Sequence, residues 1–247
     1  MTRTLTFLAL TALLLLSACD PDAQPSDSVE QDRIFVLYEL EQEADKQETK
    51  AKATFRFGGD GGTPLFLNKK SEVTADGGKM KKETMALVNT TYYLSEIDGL
   101  PESVPFSYTN NDGKTFENTV RTARVTEVNV PGSHDKRDDL EIRWRGAQTD
   151  GEQTIVVTLT DSRGKSSTFT ERLDGPQSVV TIRRSRLKKF YPGTMEVKLK
   201  REVRSEPQEA TNMGGRLKAS YTAREVSFNL TGPMPKDRNS RRRRNNS

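Results

Sequence analysis

The chain is poor in the residues that usually carry chemistry. Its 247 residues include one cysteine, one histidine and one tryptophan. A lone cysteine, Cys19, forms no internal disulfide, and one histidine with one cysteine is no ligand set for zinc. The histidine sits in Ser133-His134-Asp135, and three adjacent side chains on a loop cannot converge as a nucleophile, base and orienting acid. Apolar residues make up only 32% of the chain, charged residues 30%, and the mean hydropathy is -0.76. No apolar run reaches the roughly 20 residues needed to cross a bilayer as a helix. Such a composition fits thin β-sandwiches with much exposed surface better than a wide-cored α/β enzyme. Each end also lacks charge of one sign. From Asp20 to Lys50 ten acids face only Arg33, Lys46 and Lys50. From Thr181 onward bases prevail, with Arg183, Arg184, Arg186, Lys188 and Lys189, then Lys198, Lys200, Arg201 and Arg204, and finally Arg241, Arg242, Arg243 and Arg244.

What the front of the chain does have is a short leader pattern. Arg3 and the amino terminus supply positive charge, Leu5 to Leu16 are apolar except for Thr6 and Thr11, and Leu16-Ser17-Ala18-Cys19 closes the run. This stretch resembles the lipobox of bacterial lipoproteins. The resemblance implies that residues 1–18 are a cleaved signal peptide. It further implies that Cys19, bearing diacylglycerol and an acyl chain such as palmitate, becomes the mature N-terminus in the cell envelope. Each buried methylene adds about 0.8 kcal/mol, and two or more chains make the anchor stable. The thiol is then consumed, which excludes thiol catalysis on residue count. Asp20 resembles the inner-membrane retention signal of enterobacterial lipoproteins. Pro21 is not among the residues that strengthen that signal, so both membranes and both faces, periplasm and surface, stay open. Residues 19–32, rich in Asp, Ser, Pro and Gln, read as the lipidated cysteine followed by a disordered acidic tether.

The body reads as strands and turns. Ile34 to Tyr38 is β-branched and aromatic, and Ala53, Phe55 and Phe57 alternate after a charged turn or short helix over Glu41 to Lys50. Asp76-Gly77-Gly78 turns a hairpin, and Met85 to Leu94 reads as one strand. Val104, Phe106 and Tyr108 alternate into Asn110-Asn111-Asp112-Gly113, then Phe116, Asn118 and Val120 alternate out. Leu140, Ile142 and Trp144 place the tryptophan inward, Ile155, Val157 and Leu159 repeat the pattern, and Asp161-Ser162-Arg163-Gly164 turns the chain back through Phe169 and Leu173. Val180 and Ile182, Met195 to Leu199, Leu217 to Ala223 and Val226 to Leu230 complete the set, with a phase change near Glu225.

The run Leu140 to Trp144, followed by Thr154 to Lys165 with its Asp-x-x-Gly turn, resembles bacterial immunoglobulin-like domains, although the cysteine pair of true immunoglobulin domains is missing. The resemblance implies a sandwich used as a spacer or adhesive module. The expected fold is all-β, with two antiparallel immunoglobulin-like β-sandwiches: residues 33–122 form the first, 123–232 the second, and 233–247 a basic disordered tail.

Weighed for chemistry, most motifs reduce to structure. Gly58-Gly59-Asp60-Gly61-Gly62 lacks the Gly-Lys-Ser/Thr ending of a phosphate loop and leads into an extended segment. The oxygen-rich Asn110 to Gly113 turn lacks a glutamate at EF-hand distance. Paired carboxylates such as Asp138 and Asp139 with Glu141 have the residue types for glycoside hydrolysis, but charge-rich strand ends are common on exposed faces. The expectation is therefore no catalytic site, no metal and no cofactor. The candidate contact residues for anionic surfaces are Arg183, Arg184, Arg186, Lys188, Lys189 and Arg241, Arg242, Arg243 and Arg244. Outside the cytoplasm these meet lipid headgroups or acidic envelope polymers, not nucleic acid. The function expected is a membrane-anchored envelope module that contacts envelope polyanions or another envelope protein. Its alternatives are a wall-modifying glycan hydrolase and an accessory subunit of a secretion or appendage complex that accepts a strand at an open sheet edge.

Overall fold

The structure is a computed structural model that describes residues 23–85, 90–147 and 152–235. Leu16, Ser17, Ala18, Cys19 and the tail residues Arg241, Arg242, Arg243 and Arg244 lie outside the described residues. In chain order the strands are β1 (Gln24–Pro25), β2 (Ile34–Glu43), β3 (Glu48–Phe57), β4 (Thr63–Phe66), β5 (Glu72–Ala75), β6 (Gly78–Lys79), β7 (Lys81–Met85), β8 (Thr90–Asp98), β9 (Ser103–Thr109) and β10 (Thr115–Arg121). They continue with β11 (Val125–Asn129), β12 (Ser133–Asp135), β13 (Leu140–Gly146), β14 (Gln153–Asp161), β15 (Ser166–Leu173) and β16 (Val179–Ile182). A one-turn helix, α1 (Arg184–Leu187), precedes β17 (Gly193–Ser205), β18 (Gly215–Thr222) and β19 (Val226–Thr231). The all-β fold of packed sheets expected from the alternating pattern is borne out.

One long sheet runs β1-β4-β3-β2-β18-β17-β14-β15 and is faced by two smaller sheets, β10-β9-β5-β6 and β11-β13-β16. Against the first small sheet, Tyr38, Phe55, Phe106, Tyr108 and Phe116 bury aromatic rings that meet at 4.7–5.9 Å between centroids. Against the second, Leu140, Ile142 and Trp144 face Ile155, Val157 and Leu159, all at most 4% exposed. The core of the two sandwiches is continuous.

The seam between the sandwiches is a parallel pair. β18 comes late in the chain, yet it lies beside β2 over eight residues, with Leu217 opposite Tyr38 and Ala219 opposite Leu40. Its other edge pairs with the C-terminal part of β17, while β19 pairs with the N-terminal part. The break between β18 and β19 falls at residues 223–225, where the alternation of buried positions changes phase. The 13 residues of β17 thus pass from one sandwich to the other without interruption, a span of about 40 Å at roughly 3.3 Å per residue.

Three local expectations are corrected. Residues 23–32 are not a free tether. β1 pairs with β4, Ser26 is fully buried, and its hydroxyl meets Asn68, Ser71 and Asn111 at 2.8–3.0 Å. Gln31 adds bonds to the Ser26 and Val29 carbonyls and accepts from the Asn111 amide. This docking uses chiefly polar side chains, with only Val29 packed against the core among its apolar residues, so hydropathy carries little sign of it. The Met85 to Leu94 segment is not one strand: β7 ends at Met85, β8 begins at Thr90, and the two pair antiparallel with Met85 opposite Thr90. Glu41 to Lys50 is not a helix, and its charged turn is confined to residues 44–47, since β2 and β3 pair as far as Glu43 and Glu48.

Candidate anion-contact site

The basic run after β16 is displayed on a short, pinned loop. Leu187 and Phe190 are fully buried and anchor it to the core. Between these plugs the chain turns outward, so Arg183, Arg184, Arg186 and Lys188 are exposed and Lys189 is half-buried. Among the described residues none of these five makes an ion pair with a carboxylate. Asp139 approaches only the backbone, accepting from the Arg184 amide at 2.7 Å.

The turn between β14 and β15 brings two further cations that the sequence reading passed over. Arg163 stacks on the Tyr191 ring, 3.9 Å from its centroid, and the Lys165 ammonium donates to the Lys189 carbonyl at 2.6 Å. Read as Asp-x-x-Gly turn chemistry, Asp161 to Lys165 gave no hint that it lies beside a basic segment more than a strand away. The alternation of basic residues with turn formers was the available signal.

Asp161 holds the whole arrangement. It is 3% exposed and accepts from the backbone amides of Arg163 and Lys165 at 3.0 Å and of Tyr191 at 2.9 Å. Burial pushes its carboxyl up, but the three amide donors and the nearby Lys165 cation outweigh this and hold it below its ordinary value. Replacing Asp161 with Ala is expected to destabilise the protein by about 3 kcal/mol, because buried amides lose a charged acceptor. The sign with pH follows from the lowered value. The ionised group contributes fully above the ordinary carboxylate range, and its contribution is lost as pH falls through the lowered folded value. Acid unfolding of Asp161→Asn should therefore show a shallower pH dependence than the parent. Equal slopes would remove Asp161 from this role.

Lys136 ties the C-terminal exit to the same surface. Its side chain is 2% exposed, and its ammonium donates to the Phe190 carbonyl at 2.7 Å and the Pro233 carbonyl at 3.0 Å. Burial first, and the Lys165 cation second, push its pKa down. The chain beyond Pro233, which carries Arg241, Arg242, Arg243 and Arg244, therefore departs within a few residues of Lys188 and Lys189.

The other candidates are placed as follows. His134 lies on β12 with its ring against Phe228 and Nε2 3.2 Å from the Asp138 carbonyl. Asp138, Asp139 and Glu141 are exposed, and Glu141 pairs with Arg143 at 2.5 Å. The side-chain oxygen of Asn110 accepts from the Asp112 and Lys114 amides at 3.1 and 2.9 Å, so it serves the turn. Among the described residues no three His, Cys, Asp or Glu side chains are grouped to hold a metal ion. No described helix is long and apolar enough to cross a membrane.

No protein-family model matches the chain, and no curated protein matches it. Solved structures align with the chain only at low similarity. The FN1–FN3 domains of chicken CNTN1 align at 10% identity and a TM-score of 0.29, over 86% of this chain and 68% of that one. The Yersinia pseudotuberculosis adhesin InvE aligns at 12% identity and 0.23, over 82% of this chain and 60% of that one. A tetra-tandem repeat from the extending region of a large adhesion protein aligns at 14% and 0.24, over 77% of this chain and 49% of that one. Likeness of this order leaves the reading of function to the residues themselves.

Proposed function

We propose that the chain is a lipid-anchored bacterial envelope lipoprotein that acts, without catalysis, as an interaction module for an anionic partner. Cys19 is the attachment point for the lipid, and the exposed basic loop with the tail arginines is the contact. The observation that carries this reading is the opposition of two poles. The loop that follows β17 holds the N-terminal segment, with the Met213 amide on the Asp32 carbonyl at 3.1 Å and the Thr211 hydroxyl on the Ile34 carbonyl at 2.6 Å. Cationic residues precede the other end of β17 directly. Four residues separate Cys19 from Gln24, a reach of at most about 18 Å when fully extended. On this reading a lipid on Cys19 lies near one pole, and the basic loop stands about 40 Å away along β17.

Binding to an anionic surface tests the contact. In low salt, the Cys19→Ser protein is expected to sediment with phosphatidylglycerol vesicles. Substituting Arg183, Arg184 and Arg186 together with Ala should weaken this at least about tenfold, since each basic residue near such a surface contributes about 1 kcal/mol. Binding that is unchanged by the substitutions, or insensitive to salt, would contradict the assignment.

A further inference from the structure

The sheet edges of this molecule are treated unequally. The seven-residue edge of β10 is closed by the loop after β17. The Glu209 carboxylate accepts from the Glu117 amide at 2.8 Å, and the Gln208 side chain accepts from the Thr119 amide at 2.7 Å. The outer edge of β3 is shared by β4 and β8, and that of β19 is covered by β12. The remaining free edges on β1, β6, β7, β11, β12 and β16 run for two to five residues. β15 is different. It ends the long sheet, pairs with β14 over eight residues without a bulge, and contains no proline. Among the described residues no loop or side chain caps its outer backbone.

Unprotected edges of this length are templates for another strand, and natural proteins usually blunt them. Here blunting is confined to one half, where Glu171 and Arg172 bring charge. The other half, Ser166 to Thr170, has only Ser, Thr and Phe, and it begins at the basic surface. Lys165 directly precedes it, Lys189 lies 5.6 Å over the Phe169 ring, and Arg163 sits in the same turn. A strand added here finds backbone partners along the edge and cations at one end.

We propose that Ser166 to Thr170 of β15 accepts an extended segment of a partner protein, paired antiparallel and carrying acidic residues at its C-terminal end. Antiparallel pairing brings that end beside Lys165, Arg163 and Lys189. A second copy of this chain fits less well. Antiparallel self-pairing of β15 turns the two β17 strands in opposite directions, and the two lipid anchors then point opposite ways. The proposal rests on reading the chain as an interaction module, and only the argument against a second copy uses the lipid.

The test uses the mature-length chain with Cys19→Ser, labelled for amide NMR, and two probes, Thr-Val-Thr-Val-Thr-Asp-Asp and Thr-Val-Thr-Val-Thr-Lys-Lys. The acidic peptide is expected to shift the Ser166 to Thr170 amides saturably and to bind at least about tenfold more tightly than the lysine peptide. Arg163→Glu with Lys165→Glu, two exposed turn residues, should reverse that order while amides of the first sandwich stay in place. Absence of shifts at β15, shifts centred on another edge, or equal affinity for the two peptides would overturn the proposal. So would concentration-dependent protection of the same amides without peptide, which assigns the edge to a second copy. The vesicle assay reads lipid binding through Arg183, Arg184 and Arg186, whereas the peptide assay reads amide shifts at Ser166 to Thr170 and peptide preference in the parent chain, so either result can fail while the other holds.

Discussion

Cys19→Ser is expected to move the protein from the membrane fraction to the soluble fraction almost completely. No described helix offers a second means of insertion, and the envelope reading gives the lipid the whole task of retention. A single acyl chain binds membranes only marginally, whereas two or more chains at about 0.8 kcal/mol per buried methylene hold the protein for long times. Removing the thiol prevents attachment of the first lipid and so of the rest. Less than about a tenth of the variant should remain with membranes at physiological salt, where screening weakens what the basic loop alone can hold. Retention of most of the variant would transfer the anchor to the leader or to a protein partner.

Leu40→Ala is expected to destabilise both sandwiches together. Leu40 is fully buried on β2 and lies opposite Ala219 of β18, so it sits at the seam where strands from both halves of the chain meet. Truncating a buried leucine costs about 2–5 kcal/mol through lost burial and the cavity left behind. Trp144, the single tryptophan, is buried in the second sandwich and reports that part alone. If the shared sheet makes one cooperative unit, the urea midpoint read by Trp144 fluorescence falls by the full amount seen by circular dichroism. A Trp144 transition left unmoved by Leu40→Ala would mean that the sandwiches unfold independently.

The alternating positions were legible because period-two burial is a local property of a strand. Val104, Phe106 and Tyr108, or Leu140, Ile142 and Trp144, read as one buried face and are one. The turns at Asp76-Gly77 and Asn110 to Gly113 were equally plain, with φ of 51° and 73° at the first pair. Pairing between distant strands was not legible. Nothing in the local pattern of Leu217 to Tyr221 says that β18 lies parallel to β2, since its register is set by packing across the whole sheet. The docked N-terminal segment escaped for another reason, because its grip is Ser26, Gln31, Asn68 and Asn111, residues whose composition resembles that of a linker. At the candidate site, the basic run was visible in sequence, whereas Arg163 and Lys165 joined it only through Asp161 and its bond to the Tyr191 amide.

The distance between membrane and basic loop tests the account most directly. Cys19 is the only cysteine, and on the lipoprotein reading its thiol is consumed, so Ser185→Cys in α1 takes a single fluorophore. With the lipidated protein in vesicles that carry acceptor dye at the headgroups, energy transfer should place the label about 40 Å or more from the bilayer surface, as the length of β17 requires. A label within about 18 Å of the headgroups, the distance the extended link from Cys19 to Gln24 spans, would show the molecule lying flat and its basic face turned to its own membrane.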